Sequence, residues 1–163
     1  MVLKKYKHCV VGSSYHLQFT PKYRRDVFES AVVLDSCKRV FYDIANRLGV
    51  DLEAVEFGPE HVHLFVTGCK KYSVEKLAHR FKGASSFFIR KNCWNSIKAK
   101  LWGQSFWSDG YFAESVGRVT AESIKFYIER QQDKHWEHKD YEEVIFERDD
   151  LVNGQTKIQD FMF

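Results

Sequence analysis

The sequence lacks any run approaching the roughly 18 apolar residues of a membrane span, and its first fifteen residues lack the apolar core of a secretory signal. Both absences lead to the expectation of a cytoplasmic chain with no membrane partner. It also lacks a CxxC pair. Cys9, Cys37, Cys69 and Cys93 lie far apart, which argues against a zinc ribbon and, inside a cell, against a disulfide framework. They read as reduced thiols, mostly core filler. Internal repeats, low-complexity stretches and linkers are missing as well. The expectation is therefore one domain over residues 1–163, with room for one active site. What is present is ordinary for a folded chain: 44% hydrophobic and 29% charged residues, which excludes a disordered or collagen-like reading.

Charge is distributed unevenly. The net charge is +3, yet residues 137–163 hold eight acidic and three basic residues, which leaves +8 on residues 1–136. A basic body with an acidic C-terminal tail suits a polyanionic partner, because lysine and arginine that neutralise phosphates release counterions. A bland solvated surface would look the same by charge alone.

Hydrophobic periodicity predicts the elements. Tyr15, Leu17 and Phe19 alternate with His16 and Gln18 before Thr20-Pro21, as in a half-buried strand. From Glu29 onward Val33, Cys37, Val40, Phe41, Ile44 and Leu48 fall at helical spacing, with Gly49 as C-terminal cap. Residues 52–57 and 61–67 read as two strands joined by Gly58-Pro59-Glu60. Ser73 can cap a second helix with Val74, Leu77, Ala78, Phe81, Ser85 and Phe88 on one stripe. Residues 92–110 look irregular and aromatic, residues 111–116 are a fourth strand, and Thr120 can cap a third helix. This order predicts an α+β fold: a ferredoxin-like antiparallel sheet with helices on one face and an additional C-terminal helix, carrying Tyr127, across the other.

The chemistry centres on His61-Val62-His63. A period of two places His61, His63 and Phe65 on one face and Val62, Leu64 and Val66 on the other. The two imidazoles then stand on the exposed face, close enough to share a cation. Two ligands are an incomplete site, and two surface histidines can also occur together without function. The third helix adds to the pair, since Tyr127 and Gln131, four residues apart, offer a hydroxyl nucleophile and an amide oxygen on one face. Phosphodiester transfer needs a cation to polarise a phosphate oxygen and a nucleophile that stores the bond covalently. No general base is evident. His135-Trp136-Glu137-His138 has no third ligand at useful spacing and reads as a structural helix end.

Together these residues resemble the HUH superfamily, named for two histidines around a hydrophobic residue. Phe19-Thr20-Pro21-Lys22-Tyr23-Arg24-Arg25, Pro59-Glu60-His61-Val62-His63-Leu64, Leu101-Trp102 with Gly110-Tyr111-Phe112, and Tyr127-Ile128-Glu129-Arg130-Gln131 look like the single-tyrosine transposases of small insertion sequences. The tyrosine follows the histidines, unlike in conjugative relaxases. Gln131 and the lack of a following helicase domain favour transposases over rolling-circle initiators. Glu60 departs from a common aspartate.

The resemblance implies a Mg or Mn ion held by His61, His63 and Gln131, with Tyr127 forming a 5′-phosphotyrosine on single-stranded DNA near hairpins. It implies no nucleotide cofactor, a homodimer whose tyrosine helices dock in cis or in trans, and association with the nucleoid when DNA-bound. Candidate DNA contacts are Lys22, Tyr23, Arg24, Arg25, Arg80 and Lys82, with phosphate contacts dominating affinity and aromatics stacking on unpaired bases. Two alternatives stay open. One is a domesticated endonuclease acting on repetitive palindromes. The other is a non-catalytic nucleic-acid module, although the aromatic-rich strands of RNA-recognition modules are absent.

Overall fold

The computed structural model describes residues 4–101 and 103–117. The expected tyrosine helix with Tyr127 and Gln131, the His135–His138 segment and the acidic tail lie outside the described residues. A short hairpin not foreseen in the sequence comes first, β1 (Lys4–Tyr6) pairing with β2 (Cys9–Val11). The remaining elements follow as β3 (Ser14–Phe19), α1 (Ala31–Leu48), β4 (Asp51–Gly58), β5 (His61–Thr67), α2 (Val74–Asn92), the single turn α3 (Trp94–Ile97) and β6 (Phe112–Ser115).

The four long-range strands form one antiparallel sheet in the order β4-β5-β3-β6. With helices after the first and third of them, this is the ferredoxin-like arrangement. Local chemistry sets the helix ends. Gly49 takes the left-handed conformation at φ +66° and returns its N–H to Ala45 and Asn46, closing α1. Ser73 accepts a hydrogen bond from the Lys76 amide at 3.2 Å and opens α2. The helix expected from Glu29 begins two residues later, because Val27–Glu29 form a separate 3-10 turn.

The core lies between the helices and one face of the sheet. Leu17 and Phe19 of β3 and Val62, Leu64 and Val66 of β5 meet Val33, Cys37, Phe41 and Ile44 of α1 and Leu77, Phe81 and Ile89 of α2. Each such side chain contributes about 1.5–3 kcal/mol on burial. Phe41 is the hub, its ring within 6.3 Å of the ring centroids of Phe19, Phe57, Phe81 and Trp107. The irregular segment before β6 is therefore no surface loop throughout: Phe106 and Trp107 are buried, and the Trp107 indole N–H donates to Ser85 Oγ at 2.9 Å. That bond satisfies the indole's donor within an apolar core.

The second face of the sheet corrects one expectation. His61, His63 and Phe65 do share it, but it is not open at β5: His63 is 8% exposed and Phe65 3%. Part of the cover over His63 comes from neighbouring rings on the same face. β5 is flanked on both sides, and the rings of His16 from β3 and His61 stand against His63 at 5.1 and 5.0 Å between centroids.

Candidate functional site

Register across the sheet decides which side chains meet on the histidine face. Gly58 lies opposite His61, and Glu56 and Gln18 lie on either side of His63. Gln18 pairs in turn with Phe112, and His16 pairs with Glu114. Because paired residues in antiparallel strands point the same way, this face carries Glu56, His61, His63, Gln18, His16, Phe112 and Glu114.

The two predicted ligands adjoin. The His61 and His63 rings are 5.0 Å apart and nearly perpendicular, at 82°. That separation lies within what one divalent cation spans with metal–nitrogen bonds of about 2.1 Å. His61 rests over Gly58: a Cβ there would stand 2.3 Å from its Cε1 and 2.7 Å from its Nε2. Glycine thus makes the space the ring occupies. Burial, reinforced by the His16 and His61 rings, pushes the His63 pKa down to about 3, so the imidazole is neutral and its lone pair is available to a metal. His16 is also shifted down by burial, with the Glu114 carboxylate opposing. His16 Nε2 and His63 Nδ1 are 2.9 Å apart, in hydrogen-bond contact.

Among the described residues, no cluster of three His, Cys, Asp or Glu side chains could hold a metal. The imidazole pair could supply part of a divalent ion's shell, and no third His, Cys, Asp or Glu among the described residues completes it.

Next to the pair lies the basic segment after β3. Tyr23 and Arg24 both have positive φ, +59° and +50°, a conformation costing non-glycine residues roughly 1–2 kcal/mol each. The surroundings hold the turn: Lys22 N–H donates to Phe106 O at 2.8 Å, Pro21 bridges to Trp107, and the Arg24 guanidinium binds both oxygens of Glu60. Glu60 immediately precedes His61, so this pair ties the basic segment to the histidine strand. The strained turn leaves Tyr23 57% exposed.

The predicted DNA contacts differ in their surroundings. Lys22 pairs with Asp109 at 3.0 Å. Lys82 donates to the carbonyls of Ser108, Asp109 and Gly110 at 2.8–2.9 Å, and burial lowers its pKa against the opposing effect of Asp109. It therefore anchors the 108–110 loop. Arg25 and Arg80 are exposed, Arg80 on the outer side of α2 and so across the sheet from the histidines.

Between the basic segment and β6 an open cavity of about 330 Å³ is lined by Gln18, Thr20, Arg24, Ser108, Gly110, Tyr111 and Phe112. Sequence reasoning missed Gln18, His16 and Gly58 as parts of this face. The alternation of His16 and Gln18 with Leu17 and Phe19 was the available signal, but only strand pairing places them against His63.

Comparison with known proteins identifies the family. The profile of the family described as "Transposase IS200 like" matches residues 9–131. The ISDra2 transposase TnpA of Deinococcus radiodurans is 33% identical over 134 residues, covering 81% of this chain and 93% of that protein. The transposase for insertion sequence element IS200 of Salmonella typhimurium is 31% identical over 130 residues, 78% of this chain and 82% of that one. A crystal structure of a candidate transposase from Deinococcus radiodurans superposes with TM-score 0.63 at 31% identity, covering 79% of this chain and 98% of that one. At 10% identity, the structure of the REP-associated tyrosine transposase bound to a REP hairpin shares the fold, with TM-score 0.51, over 77% of this chain and 68% of that one. No described helix is long and apolar enough to cross a membrane. The protein belongs to the IS200-like transposases, the single-tyrosine HUH type.

Proposed function

We propose that the protein cuts and rejoins single-stranded DNA at hairpin-marked element ends, using Tyr127 as nucleophile and a divalent ion, Mg or Mn, held by His61, His63 and Gln131. The observation that carries this reading is the perpendicular imidazole pair on β5, with His63 neutral, in a chain whose family match extends through Tyr127 to Gln131. The ion, when bound, would polarise a phosphate oxygen at the scissile bond. His61 and His63 would hold two positions of its shell, and Gly58 gives the His61 ring its seat.

In the cleavage step the Tyr127 oxygen forms a bond to phosphorus as the bond from phosphorus to the 3′-oxygen breaks. The phenol gives up its proton and the departing 3′-oxygen takes one up, leaving as a hydroxyl, so one phosphoester replaces another and no ATP is consumed. Attack by a second 3′-hydroxyl reverses the step. Excision of a strand needs two such events and each chain offers one nucleophilic tyrosine, which supports a homodimer. The cavity bordered by Gln18, Tyr111 and Phe112 beside His63 suits an unpaired nucleotide, since exposed aromatics stack on bases.

The test is incubation of the purified protein with a labelled hairpin-flanked single strand. A covalent protein–DNA adduct should form with Mg or Mn, disappear with chelator, and be absent from Tyr127→Phe. An adduct formed by Tyr127→Phe refutes the assignment of the nucleophile.

A further inference from the structure

His16 lies 47 residues before His63 in the chain, and nothing in the metal-site reading requires it. Yet its Nε2 sits 2.9 Å from His63 Nδ1, both rings are buried, and they lie nearly parallel at 26°. A contact this short between two neutral imidazoles has one proton between the nitrogens, so one ring donates and the other accepts. The direction of that bond decides which His63 nitrogen is bare.

The neighbour on the other side of His16 distinguishes the two directions. Glu114 of β6 is its cross-strand partner, and the carboxylate acts electrostatically on the ring. With Nε2 committed to His63, Nδ1 is the nitrogen left to interact with the carboxylate, and a bare Nδ1 would bring a lone pair to a negative group. With the proton on Nδ1 instead, His16 has a donor to offer the carboxylate and an acceptor, Nε2, for His63. His63 must then carry its proton on Nδ1, and its Nε2 is bare.

We propose that His16, backed by Glu114, is a positioning residue that fixes the tautomer and ring plane of His63, so that His63 Nε2 faces the cation. Glu114 stands cross-strand from His16, and His16 in turn contacts His63. It corresponds to the outer partner that metal-binding histidines usually have, with an imidazole interposed before the carboxylate. Phe112, packed edge-on to His16 at 5.7 Å between centroids, holds the His16 ring from a further side. His16 itself is not a third ligand of a preformed cluster, since no such cluster exists among the described residues.

This inference rests on the metal-site reading, and two measurements on the full-length protein separate the two. In metal-free wild type, nitrogen NMR of the histidine rings should show His63 protonated at Nδ1 and bare at Nε2. The opposite tautomer overturns the proposal, because it would make Nδ1 the coordinating atom. Mn(II) binding, followed by electron paramagnetic resonance, should weaken about 10- to 100-fold in His16→Leu, which keeps the bulk and removes the acceptor. His16→Gln, whose amide oxygen restores an acceptor near the Nε2 position, should recover most of that loss even where His16→Leu folds poorly. Wild-type protein that binds no Mn(II) sinks the metal-site reading and the cation-positioning role with it. Wild-type binding with His16→Leu and His16→Gln both at wild-type affinity sinks the role of His16 alone.

Discussion

Replacing Gly58 with alanine tests the proposed metal site apart from folding, at a single position. A Cβ at residue 58 would lie 2.3 Å from Cε1, 2.7 Å from Nε2 and 2.8 Å from Nδ1 of His61. Non-bonded carbon atoms rest at about 3.5–4.0 Å, so the ring must withdraw by roughly 1 Å or more. Metal–ligand bonds tolerate only about 0.2 Å, and displacement of this size at a reacting centre costs on the order of 10²-fold in rate. Folding should hardly change. Gly58 is not among the positive-φ glycines, so alanine fits its backbone, and the lost chain entropy of the unfolded state offsets the strain by about 0.4–1 kcal/mol. The expected result is metal-dependent cleavage reduced about 100-fold, with weaker Mn(II) binding and a melting temperature close to wild type. The internal control is Gly83→Ala on α2, where an added Cβ meets nothing within 4 Å. It should stabilise the protein by about 0.5–1 kcal/mol and leave cleavage unchanged. Wild-type cleavage and Mn(II) affinity in Gly58→Ala would show that the His61 pose over residue 58 is not the metal-binding one.

Other perturbations test the scaffold. Phe41→Ala removes the hub of the aromatic core and should cost about 3–5 kcal/mol, read as a lower urea midpoint with unchanged slope; a loss under 1 kcal/mol would contradict the packing described. Since His63 has a folded pKa near 3 against an unfolded value near 6.5, its contribution is complete above pH 6.5 and declines as the pH falls toward 3. Metal-free protein should therefore lose about 2 kcal/mol between pH 7 and pH 5, with burial of His16 adding in the same direction, and a flat urea midpoint over that range would refute it. Lys82→Met frees the carbonyls of Ser108, Asp109 and Gly110 and should lower stability by about 1–2 kcal/mol. Hydrogen exchange should accelerate in the 108–110 loop, and unchanged protection there would argue against the anchoring role.

The strands and helix ends were legible because their causes are local. Alternation in Ser14–Phe19 and His61–Thr67 fixes which side chains share a face, and Gly49 and Ser73 act on backbone groups within four residues of themselves. The HUH pair and its resemblance to single-tyrosine transposases were readable for the same reason. Local pattern could not reveal that the basic residues have different partners: Lys22 meets Asp109, Arg24 meets Glu60, and Lys82 meets a loop 26–28 residues away. Those pairings depend on loops returning to the sheet.

By itself, then, the sequence determined the family, the face that His61 and His63 share, and the residues to which the proposed chemistry is assigned. The tertiary structure decided that His63 is buried rather than exposed, that Gly58 seats His61, and that His16 and Glu114 stand behind His63. The physical reason is register: a period of two is written along one strand, whereas the neighbour of each side chain is set only when separate strands pair, and a shift of one residue would turn His16 to the opposite face.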